Sequence, residues 1–147
     1  MLTVAEAVRQ RRSIRSFKPI PVPDEMILEM LEAARLAPSG SNSQPWRFVV
    51  VTDPEEKKEL RKLCFNQAFV EEAGVDFVIC ADLSAYSKES YRKRRQETID
   101  AGLVLASTVD ESVYQRYIDS FSSDVTQQMT PATANTYIAA EHIVLMA

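Results

Sequence analysis

The chain has 147 residues, of which 46% are hydrophobic and 26% are charged, and its formal net charge is −4. This length and composition predict one globular domain spanning residues 1–147 and exclude wholesale intrinsic disorder. The acidic balance argues against a general nucleic-acid-binding protein, and no apolar run reaches the roughly 20 residues that cross a bilayer, so we expect neither nucleic-acid nor membrane partners.

Positive charge is concentrated at the N-terminus. Residues 1–18 carry a net charge of +4 although the whole chain carries −4. A local cationic site on an acidic body suits a small anion better than a long polyanion. The segment has no apolar region followed by a signal cleavage site, and Cys64 and Cys80 belong to no CxxC motif. These features indicate a cytoplasmic protein whose two cysteines are buried and reduced.

The predicted elements begin with a short helix. Thr3 and Glu6 form a capping box, which predicts a helix that continues to about Gln10. The basic turn, RRSIRSF at residues 11–17, follows it. The prolines of PIPVP, residues 19–23, then predict an extended connector, because proline disfavours helix in the residue before it.

A second helix is predicted from Asp24 and must end before Pro38. Its apolar residues recur at helical spacing and predict one buried face: Ile27, Leu31 and Ala34, joined by Met26 and Met30. The polar loop, APSGSNSQPW at residues 37–46, comes next. Because Gly40 is one of only 3 glycines, we expect it to adopt a positive φ or to approach another group too closely for a Cβ.

Two strands and further helices follow the polar loop. The runs WRFVVV at 46–51 and VDFVICA at 75–81 are rich in β-branched and aromatic residues, which predicts two buried strands. Between them, residues 52–64 predict a surface helix with an N-cap, a first-turn proline and acids before bases. Residues 84–121 are predicted to be mainly helical, with YRKRRQE, residues 91–97, on a solvated face.

The last predicted helix covers residues 132–147, with Ile138, Ala139, Ile143 and Met146 on one apolar stripe. It has no glycine cap, no basic last turn and no polar tail for its final carbonyl groups. An apolar, uncapped helix end is unusual in a complete domain. The pattern therefore predicts that the domain is C-terminally incomplete.

Self-contained catalytic sets are absent from the sequence. His142 is the only histidine and is expected to be a satisfied core or interface residue, because no G-x-S-x-G elbow accompanies it. Metal-ligand clusters and the Gly-rich phosphate-binding motifs are also missing. We therefore predict no catalytic side chain and no metal, and any redox chemistry requires a bound cofactor.

The residues themselves leave two interpretations of each N-terminal motif open. Arg11, Arg12, Ser13 and Arg15 offer donors suited to a phosphate, yet a solvated basic helix end would contain the same residues. The polar loop is either a wall for a planar polar ligand or an ordinary connection between a helix and a strand.

The motifs RRSIRSF and PVPDEMILEMLEAARLAPSGSNSQPWRFVVV resemble the FMN-dependent nitroreductase family over residues 3–83, and more faintly over 133–147. The resemblance implies an α+β, nitroreductase-like fold with a mostly antiparallel central sheet flanked by helices. It also implies an intertwined homodimer with FMN at the subunit interface. The G-L-G-x-x-W segment, the further strand and the C-terminal basic residues that normally follow in the family are absent from this sequence.

The resemblance also implies which residues of the basic turn bind the cofactor. Arg11 corresponds to a phosphate ligand, and Arg12 and Ser13 correspond to contacts with phosphate or ribityl oxygens. Arg15 corresponds to the basic residue near the pyrimidine edge of the flavin. A cation there would stabilise the negative charge of the reduced flavin.

The remaining implied cofactor contacts lie in the polar loop and after the third helix. Pro38, Ser39, Gly40 and Asn42 correspond to the loop that the partner subunit lays against the isoalloxazine ring. Asn66 corresponds to a further contact at the flavin edge. These residues and the basic turn would together form one FMN site.

The implied activity follows from that cofactor. NADH or NADPH would pass hydride to FMN and leave, and a small-molecule acceptor such as a nitroaromatic or a quinone would then be reduced at the same site, in ping-pong order. Relatives of the same fold fragment flavin, remove halogens or reduce activated alkenes, and the sequence leaves these open. The alternative from a different class is a shortened, catalytically silent flavin-binding or dimer-forming protein.

Overall fold

The computed structural model describes residues 2–103, 110–122 and 124–147. These residues form one antiparallel pair of strands, with helices before, between and after the strands in the sequence. This confirms the predicted α+β class. In chain order the elements are α1 Val4–Gln10, α2 Asp24–Arg35, β1 Trp46–Val51, α3 Pro54–Leu63, α4 Ala68–Glu72, β2 Asp76–Ala81, α5 Lys88–Asp100, α6 Glu111–Ser122 and α7 Val125–Met146. Short 3-10 turns occupy Gly40–Asn42 and Leu83–Tyr86.

The capping signals of the sequence determine where the first helices begin. Thr3 Oγ1 accepts a hydrogen bond from the Glu6 amide at 3.3 Å, and the Thr3 amide donates to Glu6 Oε2 at 2.7 Å. These bonds stabilise the ionised carboxylate and lower the pKa of Glu6. Asp53 caps α3 in the same way, accepting from the amides of Glu55 and Glu56 at 2.9 and 3.0 Å.

The sheet has one covered face and one open face. Trp46 pairs with Ala81, Phe48 with Ile79 and Val50 with Phe77, and these rows face α2 and α7. On the opposite face Arg47, Val49 and Cys80 are exposed. The prediction of two buried strands is therefore wrong for these three residues, although Val51, at the end of β1 on the same face, is buried.

The two cysteines are free, as predicted, but they are not buried. Cys64 is half-buried at the end of α3, and Cys80 is exposed on the open face of the sheet, opposite Arg47. For Cys80, the neighbouring apolar residues in the sequence do not distinguish a covered strand face from an open one.

Helix α7 is the central element of the core and is longer than predicted. It begins at Val125 behind the Asp124 cap and includes Pro131. Four of its buried residues recur at helical spacing: Ala132, Thr136, Ala139 and Ile143. Ala139 and Ile143 pack in the core with α2 and the sheet, whereas Ala132 packs in a second cluster. Ile138 and Met146 are exposed, so the predicted apolar stripe is wrong for these two residues.

A second core cluster lies between α5, α6 and the start of α7. Tyr86 and Tyr91 pack edge-to-face with ring centroids 5.9 Å apart, and both are buried with Ile118. The run at residues 91–97 is therefore not simply a solvated face. Arg95 lies 4.4 Å from the centroid of the Tyr114 ring and is ion-paired to a carboxylate of α6.

The extended connector at residues 19–23 crosses close to the turn before β2. A Cβ added to Gly74 would lie 2.8 Å from Val22 Cγ2 and 2.9 Å from the Ile20 carbonyl oxygen. Only a glycine lets the backbone come this close. The connector directly follows the basic turn in the chain, so this contact also restrains the position of the N-terminal arginines.

Among the described residues, no helix is both long and apolar enough to cross a membrane.

Candidate functional site

A groove of about 630 Å³ lies between the basic turn and the C-terminal end of α7. Arg11, Arg12 and Ser13 supply its polar groups, and Phe17 and Val144 are among its apolar lining residues. We call this feature the basic groove. It brings together three of the residues predicted to bind a phosphate.

The arginines of the basic groove differ in what they contact. Arg12 Nη1 donates to the carbonyl oxygens of Arg9 and Arg11 at 3.1 and 2.9 Å, so this side chain holds the turn together. Within the described ranges, the Arg11 guanidinium has neither a carboxylate partner nor a hydrogen-bond acceptor. Arg11 is therefore the cation of the groove that is available to an external anion.

Arg15 does not line the basic groove. Its guanidinium carbon lies 6.0 Å from the centroid of the Phe69 ring in α4. Asn66, three residues earlier, has a left-handed backbone with φ of 57° and accepts a hydrogen bond from Arg61 Nε at 3.0 Å. Arg15 thus lies against α4, and Asn66 lies in the turn that leads into this helix; we call this region the α4 corner.

The polar loop has a strained backbone, and the strain is not at its glycine. Ser41, Asn42 and Gln44 have φ values of 55°, 52° and 47°. This left-handed conformation costs about 1 kcal/mol for each residue that is not glycine. Gly40 has no positive φ, and a Cβ added to it would meet only Asn135 Nδ2, at 3.9 Å. The prediction made for Gly40 is therefore wrong on both counts.

Hydrogen bonds inside the loop offset part of this strain. Ser39 Oγ accepts from the Gln44 amide at 3.0 Å, and Asn42 Oδ1 accepts from Gln44 Nε2 at 2.7 Å. Asn tolerates left-handed geometry better than most residues, and the Asn42 side chain also bonds locally. Pro38 and Pro45 lie on either side of the strained segment, which restricts the loop further.

Two residues that hold the polar loop lie outside every motif of the sequence. The Gly40 amide donates to Asn135 Oδ1 on α7 at 3.2 Å, and Ser43 Oγ donates to Tyr86 Oη at 3.3 Å. Both partners are remote in sequence, so only the tertiary structure identifies them.

Within one copy of the chain, the basic groove and the polar loop lie at different positions along α7. The groove contacts α7 at Val144, whereas the loop contacts it at Asn135. Nine helical residues separate these positions, which corresponds to about 13 Å along the axis. One copy of the chain therefore places the predicted site residues in three groups: the basic groove, the α4 corner with Arg15 and Asn66, and the polar loop.

His142 has the role predicted for it. Its Nδ1 lies 2.9 Å from the Ala33 carbonyl oxygen, so it is a satisfied histidine between α7 and α2. Within residues 2–103, 110–122 and 124–147, no group of three or more His, Cys, Asp or Glu side chains could hold a metal ion.

Comparison with known proteins gives one family. The sequence model described as Nitroreductase family matches residues 8–147. A Thermus thermophilus protein named NADH dehydrogenase is 52% identical over 83 residues, which cover 56% of this chain and 40% of that protein. A Bacillus subtilis protein named FMN reductase (NADPH) is 37% identical over 93 residues, covering 63% of this chain and 37% of that protein.

The fold is also found in solved structures. The crystal structure of a nitroreductase-like protein from Streptococcus mutans superimposes with a TM-score of 0.79 at 26% identity, covering 97% of this chain and 68% of that one. The predicted nitroreductase-like fold is therefore confirmed. The chain spans about two fifths of the length of the two curated relatives.

Proposed function

The chain belongs to the nitroreductase family, and from this we propose that it binds FMN and acts as an NAD(P)H-dependent oxidoreductase. The observation that carries the proposal is the Arg11 guanidinium in the basic groove, which has no partner among the residues that the structure describes. A phosphate monoester needs such a cation, together with hydroxyl and amide donors. The similarity to a relative named FMN reductase (NADPH) supports the same cofactor.

The residues of the basic groove fit the phosphate end of FMN. Arg11 would supply the charge, and the adjacent Ser13 hydroxyl would supply a further donor. Arg12 would act indirectly, because its guanidinium is already bonded to two carbonyl oxygens of the turn. Residues 1–18 have a net charge of +4, which favours a dianionic group at this end of the molecule.

We assign the flavin end of the cofactor to the other two groups. Arg15, which lies against α4, and Asn66, in the turn before α4, would contact the pyrimidine edge. The segment Pro38–Asn42 would cover a ring face. Since one chain holds the polar loop about 13 Å along α7 from the basic groove, we infer that the cover comes from a second copy of the chain in a homodimer.

Bound FMN would supply the redox chemistry, accepting hydride from NADH or NADPH and passing it in ping-pong order to a nitroaromatic, quinone or similar small molecule. The side chains of this protein would bind and orient the cofactor. A positive charge at Arg15 would stabilise the anionic reduced state and so raise the reduction potential. We expect this activity in the cytoplasm.

The test is a titration of purified protein with FMN, followed by flavin fluorescence. Arg11→Ala is expected to weaken binding by about 10- to 100-fold, since a hydrogen bond to a charged group is worth about 1.5–3 kcal/mol. Arg9→Ala is the matched control, because it removes the same charge from α1 without removing a residue that lines the groove. An equal loss in both variants would refute the assigned role of Arg11.

A second measurement separates an enzyme from a silent flavin-binding protein. The FMN-loaded protein is expected to be yellow and to lose its absorption when NADH or NADPH is added without oxygen. A yellow protein that neither nucleotide bleaches would favour the catalytically silent alternative. A protein that takes up no FMN would refute the proposal.

A further inference from the structure

A hydrogen-bonded node, formed by Asn135 and Tyr86, joins the polar loop to α7 and to the 3-10 turn after β2. Asn135 Oδ1 accepts from the Gly40 amide at 3.2 Å, and Asn135 Nδ2 donates to Tyr86 Oη at 3.0 Å. Ser43 Oγ donates to the same Tyr86 oxygen at 3.3 Å. The node therefore joins the start and the middle of the strained segment to α7 and to the 3-10 turn after β2.

The members of the node are well placed to act as a rigid anchor. Tyr86 and Ser43 are only 2% and 3% exposed, so water does not compete for their hydrogen bonds. Tyr86 is packed edge-to-face against Tyr91, which fixes the position of its hydroxyl group. Asn135 lies on the side of α7 next to the buried Thr136 and Ala139, and its amide uses both its acceptor and its donor in the node.

The loop needs such an anchor because its conformation is unfavourable. Three of its residues, Ser41, Asn42 and Gln44, are left-handed although none is glycine. A free loop of this composition would relax to other conformations, since strained backbone persists only where its surroundings over-determine it. The bond at Gly40 restrains the segment just before the left-handed residues, and the bond at Ser43 restrains it between Asn42 and Gln44.

We propose that Asn135 and Tyr86 are positioning residues that hold the polar loop in the conformation in which it covers FMN. The inference rests on the proposed function in that it takes the loop to be a wall of the cofactor site. Neither residue needs to touch the cofactor. Their effect on binding would be exerted through the backbone of Gly40 and the side chain of Ser43.

The first test measures the loop without cofactor. Amide hydrogen exchange of a peptide covering residues 37–46 is followed by mass spectrometry in FMN-free protein. Asn135→Ala is expected to speed exchange of the loop amides at least tenfold while exchange in β1 stays unchanged. Asn135→Asp keeps an acceptor for the Gly40 amide and is expected to restore protection. Unchanged loop exchange in Asn135→Ala, or faster exchange throughout the protein, would overturn the proposal.

The second test measures FMN affinity in the same variants. Asn135→Ala and Tyr86→Phe are expected to weaken FMN binding about tenfold, and Asn135→Asp to recover most of it. Tyr137→Phe is the matched control, since it removes a phenol hydroxyl from a side chain of α7 that is 72% exposed.

The outcomes distinguish this inference from the proposed function. If wild-type protein binds FMN and Asn135→Ala binds it equally well, the positioning role is wrong and the proposed function stands. If wild-type protein binds no FMN, both are wrong. Faster loop exchange together with weaker binding, reversed by Asn135→Asp, supports both.

Discussion

The three glycines of the chain differ in what an added methyl group would meet, and Gly74 is where we expect substitution to cost most. In Gly74→Ala the new Cβ would lie 2.8 Å from Val22 Cγ2 and 2.9 Å from the Ile20 carbonyl oxygen. The first contact is with a side chain that can rotate. The second is with backbone, which can move only if the connector at residues 19–23 shifts away from β2.

The expected magnitude combines two opposing effects. Forcing a methyl group into a packed site costs about 1–3 kcal/mol. Replacing glycine with alanine also reduces the entropy of the unfolded chain, which returns about 0.4–1 kcal/mol. We therefore expect Gly74→Ala to lower the free energy of unfolding by about 1–2 kcal/mol, equivalent to a fall in Tm of about 3–6 °C for a domain of this size.

Urea denaturation followed by circular dichroism measures this loss, and the other two glycines serve as controls. In Gly40→Ala the Cβ meets only Asn135 Nδ2 at 3.9 Å, so stability should be unchanged or slightly higher. Gly102→Ala has no neighbour within 4 Å but a φ of +69°, so it should lose about 1 kcal/mol through backbone strain alone. A Gly74→Ala protein as stable as wild type would refute the close approach of the connector.

Two further predictions concern burial in the sheet and in α7. Burial raises the pKa of Asp76 above its ordinary value of 3.8, so the folded state binds more protons and loses stability as pH rises from 3.8 through the raised value. Asp76→Asn should remove this loss, and urea curves for both proteins between pH 4 and 7 check it; parallel pH dependences would contradict it. Ile143→Ala should cost about 2–4 kcal/mol in the same assay because Ile143 is 6% exposed, whereas Ile138→Ala, at 40% exposed, should cost under 1 kcal/mol. Equal losses of stability in the two variants would contradict the exposure of Ile138 and support the apolar stripe predicted from the sequence.

The parts of the fold that the sequence predicts well are those that depend on neighbouring residues. The Thr3–Glu6 capping box and the Asp53 cap each form within one helical turn, and the helices begin where these residues predict. The apolar spacing of α2 also predicts its buried Ile27 and Ala34, although Met26 proves to be exposed. Local chemistry is sufficient in these cases because no distant residue competes with it.

The early start of α7 could not be predicted from local rules. Proline inside a helix removes a backbone donor, so Pro131 predicts a helix that begins at or after it. The structure continues the helix through Pro131 back to the Asp124 cap. Pro131 has no N–H to donate to the Gln127 carbonyl group, and Gln127 is exposed, so water can reach that end of the helix. Burial of Gln128 and Ala132 then favours the longer helix.

The burial of the strands depends on what covers them, which a strand's own residues do not specify. The run of valines at 49–51 would suit a strand covered on both sides. In the structure Val50 faces the core while Val49 is 53% exposed on the open face. The burial of Val50 follows from its packing in the core with α2 and α7, and therefore from elements that are remote in sequence.

The candidate site shows the same division between local and tertiary information. The basic turn and the polar loop are recognisable because their donors lie close together in sequence. Tyr86 and Asn135 carry no local signal, since a tyrosine and an asparagine are ordinary residues of a turn and a helix. They become informative only because they meet Gly40 and Ser43, which are 43 to 95 residues away. A loop whose left-handed residues are not glycine requires partners of this kind, so its strain identifies the loop as a place to look for positioning residues.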